Sequence, residues 1–346
     1  MTIHLRPNTL LQGGKYRIIR FIKNGGFGCT YEAEHVMLGM RVAIKEFFVQ
    51  DFCERDGRTH CVTTPSQNKK KLVAKLKKKF IDEAIAICNL KHPNIVNVSD
   101  VFEENNTAYY VMDYIDGCSL LDLVESQGAM SEHRAVGYIR QVAEALKFVH
   151  FHNRLHLDIK PGNVMVDKED HAILIDFGVS KQYDATSGEN TSTLMGITPG
   201  YAPLEQMGND VARFMPATDI YALGATLYKL LTGNTPIPAS VRASGEDLAP
   251  LPQSVSQPVC EAVKNAMRLN KTIRTQSVDD FLNLLGVEDE VEVLEVVEKG
   301  TMVRKKGVHS SNEYKKVLYD ILNALAVIAF LCYLIMKGVK SCGAFF

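Results

Sequence analysis

The stretch from His156 to Gly178 constrains the fold of this chain more than any other. A lysine and an amide follow the carboxylate of Asp158 closely, at Lys160 and Asn163, and an apolar, strand-like run then leads to a second carboxylate, Asp176. Carboxylate and amide oxygens are ligands that Mg²⁺ accepts, and a carboxylate can also take the proton of an attacking hydroxyl. The stretch therefore predicts two short strands that bring together a proton acceptor, a cation and a metal site, as phosphoryl transfer requires.

These residues resemble the catalytic loop and metal-binding motif of the protein kinase family, in its bacterial-type (eukaryotic-like) serine/threonine form. The resemblance covers about residues 16–285 and implies an α+β, two-lobed fold with a small β-rich N-lobe and a large helical C-lobe. It implies an N-lobe at 1–112, a hinge at 113–116 and a C-lobe at 117–286. ATP is the implied cofactor, with Mg²⁺ or alternatively Mn²⁺. The implied roles are catalysis for Asp158 and Lys160, and metal binding for Asn163 and Asp176.

The segment from Lys23 to Tyr31 is rich in glycine, and such a segment can lie close over a polyphosphate. On its own it is more typical of a plain β-turn, but the strand sequence Val-Ala-Ile-Lys follows shortly after it. Lys23 stands where the family has its first glycine, and we expect its β-carbon to stiffen the loop. The nucleotide-binding residues implied here are Gly25, Gly26, Phe27, Gly28 and Thr30.

Ala43 and Lys45 share one face of the predicted strand, since side chains alternate along a strand. The resemblance places Ala43 beside adenine and the Lys45 ammonium at the phosphates. Glu83, on a predicted helix, stands where the family has the partner of this lysine; a surface glutamate is the alternative. The implied gatekeeper is Met112, and the backbone of the hinge, including Asp113 and Ile115, is expected to bind adenine.

A long insertion is expected at about 46–79, and its second half carries seven lysines between Lys69 and Lys79. A solvated helix face is the simpler interpretation of the lysine run. An anionic partner, such as lipid headgroups, is the alternative.

The catalytic loop carries Leu157 where most kinases have an arginine that pairs with a phosphate on the activation segment. Leucine cannot form that pair. We therefore predict that activity does not depend strictly on phosphorylation of the activation segment, where Thr191 and Thr193 are candidate autophosphorylation sites. Further along the chain, the resemblance implies an ion pair between Glu205 and Arg274.

Residues 317–336 are apolar except for Asp320 and Asn323, and twenty helical residues span about 30 Å, the thickness of a hydrocarbon core. A single transmembrane helix is predicted there, after a juxtamembrane linker at 287–316 and before a short tail at 337–346. Lysine and arginine are more frequent before the segment than after it, which predicts a cytoplasmic kinase domain and an outside C-terminus. A buried or partner-packing helix is the alternative.

Composition argues against several other classes of protein, namely nucleic-acid-binding, disulfide-bonded and secreted ones. The net charge of −1 gives no bias toward nucleic acid, and the eight cysteines contain no Cys-x-x-Cys pair, which favours a reducing compartment. The N-terminus has no apolar run typical of a signal peptide.

The motifs, the resemblance and the apolar segment together predict a membrane-anchored kinase that acts on serine or threonine of protein substrates and is capable of self-association. The alternatives are a pseudokinase-like nucleotide-binding scaffold at the membrane and a small-molecule kinase, which the long activation segment disfavours.

Overall fold

The computed structural model describes most of the 346-residue chain. For the three shortest segments, 181–182, 294–297 and 301–304, it describes the backbone only. The chain forms two units, Met1–Leu285 and Gly286–Phe346. The described residues are 4–25, 28–176, 181–182, 198–207, 214–286, 294–297 and 301–304.

An antiparallel sheet of six strands forms the N-terminal part of the first unit. Successive side chains of its central strands point to opposite faces of the sheet, and most of those on both faces are buried. The strands lie in the order β1-β2-β3-β4-β8-β7. Their bounds are β1 Leu10–Leu11, β2 Tyr16–Gly25, β3 Gly28–His35, β4 Met40–Phe47, β7 Val98–Glu104 and β8 Thr107–Asp113.

The expected insertion begins with a small hairpin, β5 (Glu54–Arg55) and β6 (Val62–Thr63). Arg55 fastens this hairpin to the main sheet through a fully buried ion pair with Glu46, with 2.6 Å between Nη2 and Oε2. The hydroxyls of Tyr31 and Tyr109 also donate to the Glu46 carboxylate, at 2.8 and 2.6 Å. A buried charge requires such a set of partners. The insertion is thus part of the fold of this unit.

A long helix, α1 (Gln67–Cys88), packs against β7 and β8. The lysine run and Glu83 lie on this one helix. The lysines occupy its mostly exposed first half, while buried residues such as Phe80, Ala84 and Ile87 hold its second half against the sheet. The start of the helix therefore projects a positively charged surface, as expected for a solvated helix face.

The C-terminal part of the first unit is mainly helical, with small sheets of the order β12-β11-β9 and β10-β13. Helix α5 is buried along nearly its whole length and ends at Gly233, whose φ of 73° is one that glycine adopts without strain. The helices are α2 Leu120–Gln127, α3 Glu132–Phe151, α4 Leu204–Met207, α5 Pro216–Thr232, α6 Ala239–Ala243, α7 Gln257–Ala266 and α8 Val278–Leu284. The strands are β9 Gly117–Ser119, β10 Arg154–Leu155, β11 Val164–Asp167, β12 Ala172–Leu174 and β13 Lys181–Gln182, with a 3₁₀ turn at Pro161–Asn163.

The second unit contains one described hairpin, β14 (Leu294–Val297) with β15 (Thr301–Arg304). The predicted transmembrane segment, 317–336, lies outside the described residues. Among the helices that the structure does describe, none combines the length and apolar character needed to cross a membrane.

Candidate active site

A buried carboxylate on α5 holds the backbone of the loop that carries Asp158. Asp219 is fully buried, and its two oxygens accept hydrogen bonds from the backbone N–H groups of His156 at 2.9 Å and Leu157 at 2.7 Å. The imidazole Nε2 of His150, on α3, lies 2.8 Å from the same carboxylate. A carboxylate inside an apolar helix is expected to bind buried backbone donors, and the structure shows that Asp219 does so in this loop. The contact with His150 has no such signal in the sequence.

Leu157 has a φ of 65°, in the left-handed region that costs an L-residue about 1–2 kcal/mol. Its side chain is buried and packs with Leu155 and Phe214. The side-chain amide of Gln206 donates to its carbonyl oxygen at 2.9 Å. The position at which most kinases carry an arginine is therefore an apolar contact in this chain, and it offers no group that could bind a phosphate.

Three polar side chains meet around Asp158. The Lys160 ammonium lies 3.0 and 2.8 Å from the two carboxylate oxygens of Asp158. The Thr198 hydroxyl donates to Asp158 Oδ1 at 2.9 Å and accepts from Lys160 at 3.0 Å. The Asn163 amide donates to the carbonyl oxygen and to Oδ2 of Asp158, both at 2.8 Å. The carboxylate is thus fixed in position by a cation and two neutral donors.

The second cluster joins the sheet to the strand β12. The Lys45 ammonium of β4 lies 2.8 Å from Asp176 Oδ1, although 131 positions separate the two residues in sequence. Asp176 lies two residues beyond the end of β12, and the N–H of the intervening Ile175 donates to the carbonyl oxygen of Asn163 at 3.0 Å. This bond ties the two clusters together. The structure therefore brings Lys45, Asp158, Lys160, Asn163 and Asp176 to one site.

Glu83 is the exception among the predicted catalytic residues. It does not form an ion pair with Lys45 within the described residues, where the lysine binds Asp176 instead. Both carboxylates compete for one ammonium group, and Asp176 holds it. Glu83 remains close enough to act electrostatically on Lys45, Asp176 and Asp158.

The charges at this site influence one another strongly. Burial raises the pKa of Glu83 to about 8, against the opposing effect of Lys45. Burial also disfavours charge on Lys45 and on Asp176, but their mutual attraction prevails: the pKa of Lys45 is raised and that of Asp176 is lowered. Lys45 and Asp176 are consequently both charged at neutral pH, while Glu83 titrates near it.

The residues present fit a divalent cation that binds together with phosphates. The two donors of the Asn163 amide point at Asp158, which leaves its oxygen for a metal, and Asp176 supplies a carboxylate. Mg²⁺ is commonly held by one or two protein oxygens plus phosphates and water. A cage made by protein alone is not found: no group of three or more His, Cys, Asp or Glu side chains in the described part of the chain is arranged to hold a cation.

The other predicted nucleotide-binding residues line the sheet and its connection to α2. Ala43 lies directly opposite Met112 in the β4–β8 pair, and Thr30 lies opposite Lys45 in the β3–β4 pair. The N–H of Ile115 donates no backbone hydrogen bond within the described residues. Gly26 and Phe27 lie outside those residues.

Gly25 and Gly28 close the hairpin between β2 and β3, where they lie opposite each other. A β-carbon at Gly28 would lie 1.7 Å from the carbonyl oxygen of Glu46, so the approach of β3 to β4 requires glycine there. Asp113 ends β8 with an exposed side chain.

Besides the contact of His150, two features of the site were not predicted from sequence. The buried network around Glu46 directly follows Lys45 in the chain, and its only sequence signal was a charged residue in an apolar strand. The contact between Thr198 and Asp158 joins residues 40 positions apart. The expected pair of Glu205 and Arg274 is confirmed, with 2.6 Å between Oε1 and Nη1.

We expect that replacing Glu83 by glutamine stabilises the protein without nucleotide at pH 8.5 and has little effect at pH 5. The folded state holds the Glu83 proton up to about pH 8, whereas the ordinary pKa of an exposed glutamate is 4.5. The folded state thus binds more protons between these values, so the wild-type protein loses stability as pH rises through them. Thermal unfolding of Glu83→Gln and wild type at both pH values measures the difference.

The matched control is Asp82→Asn, since Asp82 precedes Glu83 on α1 and is exposed. It should show no such dependence on pH. A melting-temperature difference between Glu83→Gln and wild type that is the same at both pH values would contradict the assignment of Glu83 as a carboxyl that titrates near neutrality.

Comparison with known proteins agrees with this geometry. The model of the protein kinase domain family matches residues 16–285, and the chain belongs to the protein kinase family. It is similar to the serine/threonine-protein kinase PknA of Mycobacterium tuberculosis, with 29% identity over 289 residues that cover 79% of this chain and 61% of the relative. It is also similar to PrkC of Bacillus subtilis, with 30% identity over 223 residues that cover 64% of this chain and 31% of the relative.

A solved structure titled PpkA-294 apo form has the same fold, with a TM-score of 0.72 and 27% identity. The match covers 82% of this chain and all of that one. A probable serine/threonine-protein kinase of Clostridium perfringens is 28% identical to this chain, and the match covers 78% of this chain and 38% of the relative. The chain therefore spans between about a third and three fifths of the length of these curated relatives. The predicted resemblance to bacterial serine/threonine kinases is confirmed.

Proposed function

We propose that this chain transfers the γ-phosphate of ATP to serine or threonine hydroxyls of protein substrates. The single observation that carries the proposal is the meeting of two clusters, Lys45 with Asp176 and Asp158 with Lys160 and Thr198, at one site. The relatives are named as serine/threonine-protein kinases, which supports the same acceptor class.

The Asp158 carboxylate is the group that accepts the proton of the attacking hydroxyl. Lys160 bonds to it and is placed to balance negative charge on the transferring group. On the other side of the site, the Lys45 ammonium is held by Asp176 in a position to bind phosphate oxygens. A divalent cation at Asn163 and Asp176 would neutralise phosphate charge. The hinge backbone would bind adenine, and the N–H of Ile115, which donates no backbone hydrogen bond within the described residues, supports this proposal.

One assay separates the proposed function from its alternatives. Purified full-length protein is incubated with labelled ATP, Mg²⁺ and a generic basic protein, beside Asp158→Asn and Lys45→Met. Transfer by the wild type that both substitutions abolish supports the kinase. Binding of ATP without transfer by the wild type would instead favour the pseudokinase scaffold.

We expect activity to persist without phosphorylation of the activation segment, because Leu157 is an apolar contact that cannot bind a phosphate. Thr191 and Thr193 lie outside the described residues. Replacing both by alanine should leave peptide phosphorylation within about tenfold of wild type, which corresponds to ~1.4 kcal/mol. A larger loss, measured as kcat/KM for the peptide, would show that phosphorylation of this segment is required.

We also propose, from sequence, that residues 317–336 anchor the protein in a membrane as a single helix, with the kinase domain cytoplasmic. The apolar character of this segment and the excess of lysine and arginine before it support the proposal. Such an anchor would also favour self-association by concentrating copies in one plane. Membrane fractionation of the full chain and of a chain ending at residue 316 tests it: equal distribution of the two would refute the anchor.

A further inference from the structure

A β-bulge in β2 sets the direction of Lys23, the residue that departs from the family's glycine pattern. Phe21 lies opposite Tyr31 of β3, but Lys23 lies opposite Thr30, so Ile22 is left without a partner in the pairing. An extra residue of this kind reverses the alternation of side chains beyond it. Without the bulge, Lys23 would point to the same face as Phe21.

The contacts of neighbouring residues show which face is which. Phe21 packs edge-on against Tyr31, whose hydroxyl binds Glu46 on the face that the insertion covers. Asn24, next to Lys23, accepts a hydrogen bond from the thiol of Cys29 at 3.4 Å, and Cys29 precedes Thr30. Phe21 and Asn24 therefore lie on one face although three positions separate them, and Lys23 lies on the other.

That other face is the one that carries the site. Lys23, Thr30 and Lys45 are directly opposite one another in three successive strands, and Tyr110 of β8 continues the row. Residues opposite one another in a sheet point to the same face. Lys23 is thus about 10 Å from Lys45 in backbone position, two strand spacings away, with an exposed side chain at the open end of the row.

The positive charge of Lys23 acts electrostatically on Asp176 in the site. Burial by itself would raise the pKa of the Asp176 carboxyl. The positive charge of Lys45 and, to a smaller extent, that of Lys23 outweigh burial, so the pKa is lowered. The Lys23 ammonium has no ion-pair partner within the described residues. Lys15 and Lys45, the lysines before and after it in the chain, both bind carboxylates.

We propose that Lys23 is a second phosphate-binding cation of this kinase, which contacts the polyphosphate chain of the bound nucleotide from β2 while Lys45 contacts it from β4. The proposal rests on the proposed function in so far as the ligand is a nucleotide. Where the family has a glycine, which has no side chain, this chain adds a side-chain charge. Lys23 accordingly favours nucleotides with several phosphates over adenosine.

The test measures affinity for adenosine, ADP and ATP by calorimetry on the full-length protein, with EDTA and again with Mg²⁺. Replacing Lys23 by methionine should weaken the binding of ADP and ATP by about five- to tenfold, because an exposed charged contact contributes modestly to affinity. The affinity for adenosine should stay unchanged. Lys23→Arg should retain most of the affinity. Equal affinities of Lys23→Met and wild type for ADP and ATP would overturn the proposal.

The chain offers a matched control that keeps composition and net charge. Exchanging the two neighbours, as Lys23→Asn with Asn24→Lys, moves the ammonium to the opposite face of the sheet. The exchange should weaken ADP as much as Lys23→Met does. If it binds ADP like wild type, the effect of residue 23 is a general electrostatic one and the proposed contact is wrong. A wild-type protein that binds no nucleotide at all would instead refute the proposed function.

Discussion

Replacing Asp158 by asparagine should lower the rate of phosphoryl transfer about 10³-fold, because the site loses the group that accepts the hydroxyl proton. Asparagine has nearly the same shape, and its oxygen can still accept hydrogen bonds from Lys160 and Thr198 in the place of Oδ1. The bond that Asn163 donates to Oδ2 is lost, while its bond to the carbonyl oxygen of residue 158 remains. The fold and the affinity for nucleotide should therefore change little. Steady-state transfer to a serine peptide, with ADP affinity measured beside it, gives kcat and binding separately.

The matched control for this substitution is Asp279→Asn, since Asp279 is an exposed aspartate on α8 that pairs with the half-exposed Lys147 of α3. It should have wild-type activity. A transfer rate of Asp158→Asn within tenfold of wild type would show that this carboxylate is not the proton acceptor, even if the protein remains a kinase.

Replacing Asp219 by alanine should destabilise the protein by about 2–5 kcal/mol, because two buried backbone donors lose their acceptor. The same carboxylate also meets the imidazole of His150. Leu157 is held at a positive φ by these bonds, so its strain would no longer be compensated. Urea unfolding, followed by circular dichroism, measures the loss.

Asp219→Asn and Asp279→Ala bracket this prediction. Asparagine keeps one acceptor oxygen and should lie between wild type and alanine in stability, with a reduced kcat because the loop that positions Asp158 is less firmly held. Alanine at the exposed Asp279 should change stability by less than about 0.5 kcal/mol. A loss of less than about 1 kcal/mol for Asp219→Ala would mean that other groups hold the catalytic loop.

The local sequence was sufficient for the residues whose role depends on type and spacing. Asp158, Lys160 and Asn163 lie within one short loop, so the chain itself keeps them near one another, and the resemblance to the protein kinase family implied their roles. Asp219 lies in an apolar helix, where an unpaired charge would be costly, so its carboxylate was expected to accept hydrogen bonds from buried donors. The family match over residues 16–285 confirms the fold that these motifs predicted.

Other features depend on contacts between distant segments, and the sequence could not supply them. Lys45 had two candidate partners, and only the folded protein shows that Asp176 holds the ammonium while Glu83 stands apart. Desolvation decides the state of Glu83, and desolvation depends on everything packed around it.

Residue type and local spacing determined which side chains could carry out the chemistry, and the resemblance of their motifs to the protein kinase family predicted the fold. The tertiary structure decided which of them touch and which way they point. Lys23 illustrates the difference: the sequence shows a lysine in place of a glycine, but one unpaired residue in β2 turns its side chain toward the site. A shift of one residue in a strand reverses the face of every side chain after it, and only the pairing with a neighbouring strand fixes that register.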